Sequence, residues 1–252
     1  MQVNIGLITG ASRGLGKNTA LAMAAQGIDV VLTYHSKKDA AEAVVAEIQR
    51  MGRKAAALQL DVMHAKSFAD FAARLRQVLQ SNWQAERFDY LVNNAGTGVT
   101  APFAETTEAM FDDMVNIHLK STYFLSQAML PLLNDGGRII NISSGLARFA
   151  LPGYSAYAAM KGGIEVLTRY MAKELGARRI NVNTVAPGAI ETDFGDGLVR
   201  DNKEVNAYIA SQTALGRVGV PDDIGPMIAA LLSENNRWVN AQRIEVSGGM
   251  LI

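Results

Sequence analysis

Short apolar runs rich in Val and Ile recur along the chain at residues 3–9, 28–34, 55–61, 88–93, 138–143 and 180–186. Their length and β-branched content predict strands buried in a sheet. Between them, residues 14–26, 39–51, 66–82, 107–133 and 154–176 space their apolar positions as helices do, several closed by a glycine. Strand and helix in alternation is the βαβ rhythm of a parallel sheet. The expectation is an α/β fold, a Rossmann-like doubly wound parallel sheet with helices on both faces, with residues 244–246 as its last strand. No linker-like cluster of Pro, Gly and Ser and no long internal repeat interrupts the series, so residues 1–252 are expected to form a single domain. One stretch breaks the rhythm. Residues 187–220 follow the sixth strand and are rich in Gly, Asp and Asn. Open α/β sheets bind ligands beyond the carboxyl ends of their strands, so this irregular stretch is expected to form a lid.

Composition narrows the function. The chain of 252 residues is 49% hydrophobic, yet no apolar run approaches the length that spans a bilayer. Its start, MQVNIGLITG, reads as a first strand rather than a secretion signal, which points to the cytoplasm. Twenty-four basic residues balance 24 acidic ones without a block of like charge, which argues against a nucleic-acid or membrane surface and for a small-molecule partner. Zero cysteines exclude disulfides, thiolate nucleophiles and iron–sulfur clusters, so redox chemistry would need an external cofactor. His35, His64 and His118 show no metal-ligand spacing and are read as surface or structural residues; no metal is expected.

The sequence Thr9-Gly10-Ala11-Ser12-Arg13-Gly14-Leu15-Gly16 falls where the first strand turns into the first helix. Small residues there let backbone amides and the helix N-terminus approach a pyrophosphate. Three glycines so spaced arise by chance about 0.2 times in such a chain, so context supplies the specificity. The same residues read as Gly10-x-Ser12-x-Gly14, the nucleophile elbow of a serine hydrolase. That alternative needs a histidine late in the chain, and none follows His118. Tyr157 and Lys161 stand four apart on one predicted helix face, where an ammonium would stabilise a phenolate and lower the tyrosine pKa. Tyr34 and Lys38 share the spacing, but at a strand end where no helix is established.

Together TGASRGLG, the NNAG of residues 93–96, Asn116, Ser144, YAAMK and Pro187-Gly188 make the chain resemble the short-chain dehydrogenase/reductases over essentially its whole length. The pattern is most similar to that of 3-oxoacyl-acyl-carrier-protein reductases, although sugar, steroid and small-alcohol dehydrogenases share much of it. The resemblance implies an oxidoreductase interconverting a carbonyl and a secondary alcohol, with Asn116, Ser144, Tyr157 and Lys161 catalytic. Tyr157 would donate the proton and Ser144 would hydrogen-bond the same oxygen. Lys161 would hold the nicotinamide ribose and depress the tyrosine pKa, and Asn116 would support a water linking Lys161 to solvent. Cofactor contacts are implied for Gly10, Ser12, Arg13, Gly14, Leu15, Gly16, Tyr34, Ser36, Asp61, Val62, Asn94, Ala95, Gly96, Tyr157, Lys161, Pro187, Gly188, Ile190 and Thr192. Asn93 is expected to be mainly structural, tying strands together, and Ser143 to end its strand. Phe103, Leu146, Phe149, Leu151 and Tyr154 are candidates to face a substrate, which is either a small molecule or an acyl thioester.

Cofactor choice is read from the end of the second strand. A carboxylate there would bind the adenosine ribose diol and repel a 2′-phosphate. The strand instead ends Leu32-Thr33-Tyr34-His35-Ser36-Lys37-Lys38; Asp29 comes too early, and Asp39 opens the next helix. Arg13 occupies the family position whose guanidinium pairs with that phosphate, with Ser36 or Lys37 as further donors. NADP(H) is therefore favoured over NAD(H). The long segments 107–133 and 154–176 resemble the family's paired interface helices, implying a homotetramer. A dinucleotide-binding regulator without catalysis would share the pocket, but retention of both Tyr157 and Lys161 favours the enzyme.

Overall fold

The computed structural model describes residues 3–252. Seven strands, β1 (Ile5–Ile8), β2 (Asp29–Tyr34), β3 (Ala55–Gln59), β4 (Phe88–Asn93), β5 (Leu133–Ile142), β6 (Asn181–Pro187) and β7 (Arg243–Val246), form one parallel sheet in the order β3-β2-β1-β4-β5-β6-β7. Successive side chains along a strand point to opposite faces, so an unbroken apolar strand feeds two cores. Ile8, Val30, Leu32, Val92, Ile140 and Val185 pack with one buried cluster. Leu7, Val31, Leu91, Ile139 and Val182 pack with the other. On the first face lie α1 (Gly14–Ala25), α2 (Lys38–Arg50) and α9 (Gly225–Leu231), whose buried apolar side chains belong to that cluster. Helix α3 (Phe68–Trp83) contributes Phe71, Leu75 and Leu79 to the second face, joined by Leu125 and Met129 of α5 (Ser121–Met129) and Ala172 of α6 (Ser155–Glu174). The strand order reverses between β1 and β4, and the crevice at such a switch point opens at the carboxyl ends of the strands.

Three readings are corrected here. The helix expected over residues 107–133 is not one α-helix. Thr107 accepts from the Met110 amide at 3.2 Å and starts α4 (Glu108–Met114), a π-helical turn runs over Val115–Lys120, and α5 stops at Met129. Pro131, which lacks an amide proton, sits in the 3₁₀ turn Leu130–Leu132 that follows. Strand β5 accordingly begins at Leu133 rather than 138, pairing Leu133 with Phe88 before a bulge re-registers Arg138 with Tyr90. The irregular stretch 187–220 contains α7 (Leu198–Asp201) and α8 (Lys203–Ser211), the latter capped by Asn202, whose side chain accepts from the Glu204 and Val205 amides at 3.0 Å.

Asn93 has the structural role its sequence position suggested. Its amide donates to Ser126 Oγ at 2.9 Å and to Asn141 Oδ1 at 2.8 Å, and Asn141 in turn donates to Thr168 Oγ1 at 2.9 Å. The chain of buried polar groups ties β4 and β5 to α5 and α6, close behind the crevice.

Candidate active site

The glycine turn between β1 and α1 is shaped by close backbone approach. A Cβ on Gly16 would lie 2.8 Å from Ala11 Cα and 2.6 Å from Asn94 Nδ2, so only glycine fits there, and Gly10 (φ +66°) and Gly14 (φ +56°) hold left-handed conformations. Arg13, the residue before α1, makes no side-chain cap, and no acidic residue occupies the first helical turn. Those amides and the positive end of the helix dipole are thus available to an anion, which suits the pyrophosphate of a dinucleotide. Asn94 and Ala95 brace the turn. The Asn94 side chain donates to Thr9 O at 2.8 Å and Gly10 O at 3.2 Å, while both backbone amides donate to Thr9 Oγ1. Asn94 therefore holds the cradle together, a role beyond the contact expected of it.

The remaining cradle residues surround this turn. Ser12, Leu15 and Val62 are half-buried, Gly96 and Ser36 are exposed, and Tyr34 is buried at the end of β2. Asp61 lies beyond β3 with its carboxylate 3.4 Å from His35 Nε2 and 2.9 Å from His64 Nδ1. Pro187 ends β6, and Gly188 approaches so close to Ser247 that a Cβ would sit 2.9 Å from its Cα. Ile190 bridges to Gly219, and Thr192 lies across Gly14, 3.8 Å from the position of a Cβ there. Arg13 Nη1 reaches Asp193 Oδ2 at 3.4 Å, and Arg200 holds the other oxygen of that carboxylate at 2.5 Å. Thr192 and Asp193 of the stretch after β6 thereby lie against this turn. Ser12 hydrogen-bonds no histidine among the described residues: His35 and His64 pair with Asp61 and His118 with Thr97, which removes the hydrolase reading.

The candidate catalytic groups meet at the carboxyl ends of β4, β5 and β6. Tyr157 and Lys161 rise one turn apart on α6, 7% and 4% exposed, with Lys161 Nζ 5.3 Å from the tyrosine ring centre. Ser144 follows β5, accepts from the Leu146 amide at 3.2 Å, and places its hydroxyl against the Tyr157 phenol. Its neighbour Ser143 turns away, donating to Glu165 Oε1 at 2.7 Å. Asn116 lies in the π-helical turn, its side-chain oxygen accepting from Lys120 Nζ at 3.3 Å; no direct bond joins it to Lys161.

Electrostatics correct one expectation. Burial pushes the Tyr157 phenol pKa up, only partly opposed by the Ser144 hydroxyl, whereas a depressed tyrosine was expected from the Lys161 charge. The ammonium is perturbed as well. Burial pulls Lys161 down to about 7, and its Nζ donates to Ile142 O at 2.7 Å instead of pointing at the phenol.

Two residues beside Tyr157 escaped the sequence reading. His118 stands edge-on to the tyrosine ring, 5.1 Å between centres, with Nε2 at 2.7 Å from Thr97 O and Nδ1 without a protein partner among the described residues. Burial, with the Lys161 charge, pulls its pKa down to about 3, so it is neutral and must donate through Nε2. Phe194 projects over the phenol, 5.7 Å between ring centres, above Gly98, where a Cβ would lie 2.9 Å from the phenylalanine ring. Neither carries a spacing signal. Of the candidates for substrate contact, Leu146 packs on the Tyr157 cluster and Tyr154 precedes α6, whereas Phe103 is 85% exposed and Phe149 packs with Ile209, Val218 and Met250. Among the described residues no helix is long and apolar enough to cross a membrane, and no group of three His, Asp or Glu is placed to hold a metal.

Comparison with known proteins matches residues 10–251 to the family model described as enoyl-(acyl carrier protein) reductase. Hydroxynaphthalene reductase-like protein Arp2 of Metarhizium brunneum (strain ARSEF 3297) is 36% identical, over 97% of this chain and 94% of its own length. The promiscuous reductase LugOII, which catalyses keto-reduction at C1 during lugdunomycin biosynthesis, superposes with a TM-score of 0.93 at 36% identity, over 99% of this chain and 98% of its own. The angucycline C-6 ketoreductase LanV with bound NADP has the same TM-score at 35% identity, over 98% and 95% of the two chains.

Proposed function

The chain belongs to the short-chain dehydrogenase/reductase family of oxidoreductases, and from that premise we propose that it reduces the ketone of a polycyclic aromatic substrate with NADPH. The observation that carries the reading is the convergence of Ser144, Tyr157 and Lys161 on one buried point beside an anion-binding glycine turn. The hydroxynaphthalene and angucycline in the names of its relatives, and the aromatic and apolar surface of Phe194 and Leu146 around Tyr157, support the substrate class. The 3-oxoacyl thioester reading is supported by the acyl-carrier-protein reductase description of the family model, whereas the names of the relatives point to aromatic ketones.

The glycine turn with Arg13, Thr192 and Asn94 to Gly96 would hold the cofactor, and Arg13 would meet the 2′-phosphate. The nicotinamide supplies the hydride. Tyr157 holds its proton at neutral pH, all the more firmly because burial raises its pKa, and it is more acidic than the alcohol formed when the alkoxide is protonated, so its phenol gives the proton. Ser144 hydrogen-bonds the same oxygen as charge develops on it. Once Tyr157 has given its proton, the Lys161 charge 5.3 Å from the ring stabilises the phenolate. Asn116, half-buried in the π-helical turn, would order a water toward Lys161.

The test is NADPH oxidation against fused-ring ketones, acetoacetyl thioesters, sugars and steroids. Fused-ring ketones should turn over fastest, and Tyr157→Phe should lower that rate about a hundredfold or more while NADPH fluorescence still reports binding. Preference for the thioester would overturn the substrate class; a variant within about threefold of the parent would overturn the proton-transfer role. We further propose a homotetramer, supported by Phe111, Tyr123, Phe124, Val166 and Tyr170, which expose apolar surface on α4, α5 and α6. Light scattering should give four times the chain mass of 27.0 kDa, and a stable monomer at micromolar concentration would refute it.

A further inference from the structure

Tyr157, Lys161 and Glu165 occupy successive turns of one face of α6, and only the first two enter the chemistry above. Glu165 is largely buried, its side chain 15% exposed, and its Oε1 accepts from Ser143 Oγ at 2.7 Å and from Arg243 Nε at 2.6 Å. Arg243 opens β7 and uses its whole fork. Nη1 donates to Glu245 Oε2 at 2.9 Å, and Nη2 donates to the backbone carbonyl of Ser144 at 3.3 Å. Glu245 is held in turn by a bidentate Arg148, both contacts at 2.8 Å, and by Ser247 Oγ at 3.0 Å. Arg148 lies only four residues beyond Ser144 and also grips the carbonyls of Met250 and Leu251 at 2.8 and 3.1 Å.

This network encloses Ser144. On the N-terminal side, Ser143 is fixed by its amide to Val185 O at 2.8 Å and by its hydroxyl to Glu165. On the C-terminal side the Ser144 carbonyl is fixed by Arg243. Ser144 itself stands in the extended conformation (φ −159°) ahead of a single 3₁₀ turn, so regular secondary structure does little to hold it. A hydroxyl that must meet a developing oxyanion loses effect with sub-ångström displacement, and a rigid charged fork on the adjacent peptide is a means of preventing that. A lysine would not serve equally, because a point charge cannot satisfy three acceptors in one plane.

We propose that Arg243, oriented by Glu165, is a positioning residue for Ser144. The proposal rests on the role assigned to Ser144 above. The test is a double-mutant cycle between Arg243→Met and Ser144→Ala, read as kcat and KM for the fastest ketone of the panel together with NADPH affinity by fluorescence. Arg243→Met alone should lower kcat about tenfold or more with little change in KM or cofactor affinity, and Arg243→Lys should restore only part of it. In the Ser144→Ala background the same substitution should change kcat less than about twofold, because the group it positions is gone. An unchanged kcat in the single variant, or an equal loss in both backgrounds, would overturn the proposal while leaving the role of Ser144 intact. A Ser144→Ala enzyme with parental kcat would overturn both. If Arg243→Met fails to fold, the isosteric Glu165→Gln enters the same cycle with the same expectations.

Discussion

Replacing Lys161 by methionine should stabilise the protein at neutral pH while abolishing its activity. The ammonium is 4% exposed, pairs with no carboxylate among the described residues, and has the Ile142 carbonyl as its protein hydrogen-bond partner. Beside it stand His118, neutral with a pKa of about 3, and the Tyr157 ring. Burial drops its pKa from the ordinary 10.5 to about 7. At about 1.4 kcal/mol per pH unit, holding the charged form inside costs roughly 5 kcal/mol. Below pH 7 the residue is protonated in both folded and unfolded chains, and the folded state bears the full cost. Between pH 7 and 10.5 the unfolded chain binds the extra proton, so this contribution makes the parent more stable as pH rises; above 10.5 the cost is gone. Methionine retains the aliphatic bulk and loses one hydrogen bond, about 1 kcal/mol at every pH. The variant should therefore exceed the parent by roughly 4 kcal/mol at pH 6, and the advantage should vanish by about pH 10.5. Urea unfolding of both proteins across this range, at matched protein concentration, measures the difference directly. A difference that stays constant with pH, or grows toward alkaline pH, would refute the buried-ammonium account.

Other perturbations probe the cradle. Arg13→Ala should reduce the NADPH-to-NADH ratio of kcat/KM by about ten- to a hundredfold, the worth of a charged hydrogen bond, while Arg200 continues to hold Asp193. An unchanged ratio would remove Arg13 from cofactor discrimination. Gly16→Ala drives a methyl against Ala11 Cα and Asn94 Nδ2, so thermal unfolding should fall by several degrees, reflecting about 1–3 kcal/mol of overpacking, and NADPH binding should weaken. A melting temperature within about one degree of the parent would mean that the backbone there yields more easily than its packing implies.

The strands were legible in the sequence because both faces of a parallel sheet are buried, and the resulting Val- and Ile-rich runs stand out from the amphipathic helices between them. The first residues of β5, Leu133 to Gly137, were not. Leu133 fell in the expected helix and residues 134–137 in no expected element, and they join the sheet where Phe88 pairs with Leu133 ahead of a bulge. The π-helical turn that carries Asn116 was equally hidden, since its altered hydrogen bonding has no compositional mark. Helices α7 and α8 were masked by the Gly, Asp and Asn that cap and connect them.

Within the site, the sequence by itself determined what depends on near neighbours. Tyr157 and Lys161 share a helix face because they are four residues apart, and the glycines of residues 10–16 permit a turn that other residues would block. What depends on distant parts of the chain only the tertiary structure decided. Arg13 meets Asp193 across 180 positions, and Arg243 reaches Ser144 across 99. The pKa values followed the same division. Spacing placed an ammonium near a phenol, but the packing of α6 on the strand ends removed water from both, and desolvation then raised the tyrosine and lowered the lysine.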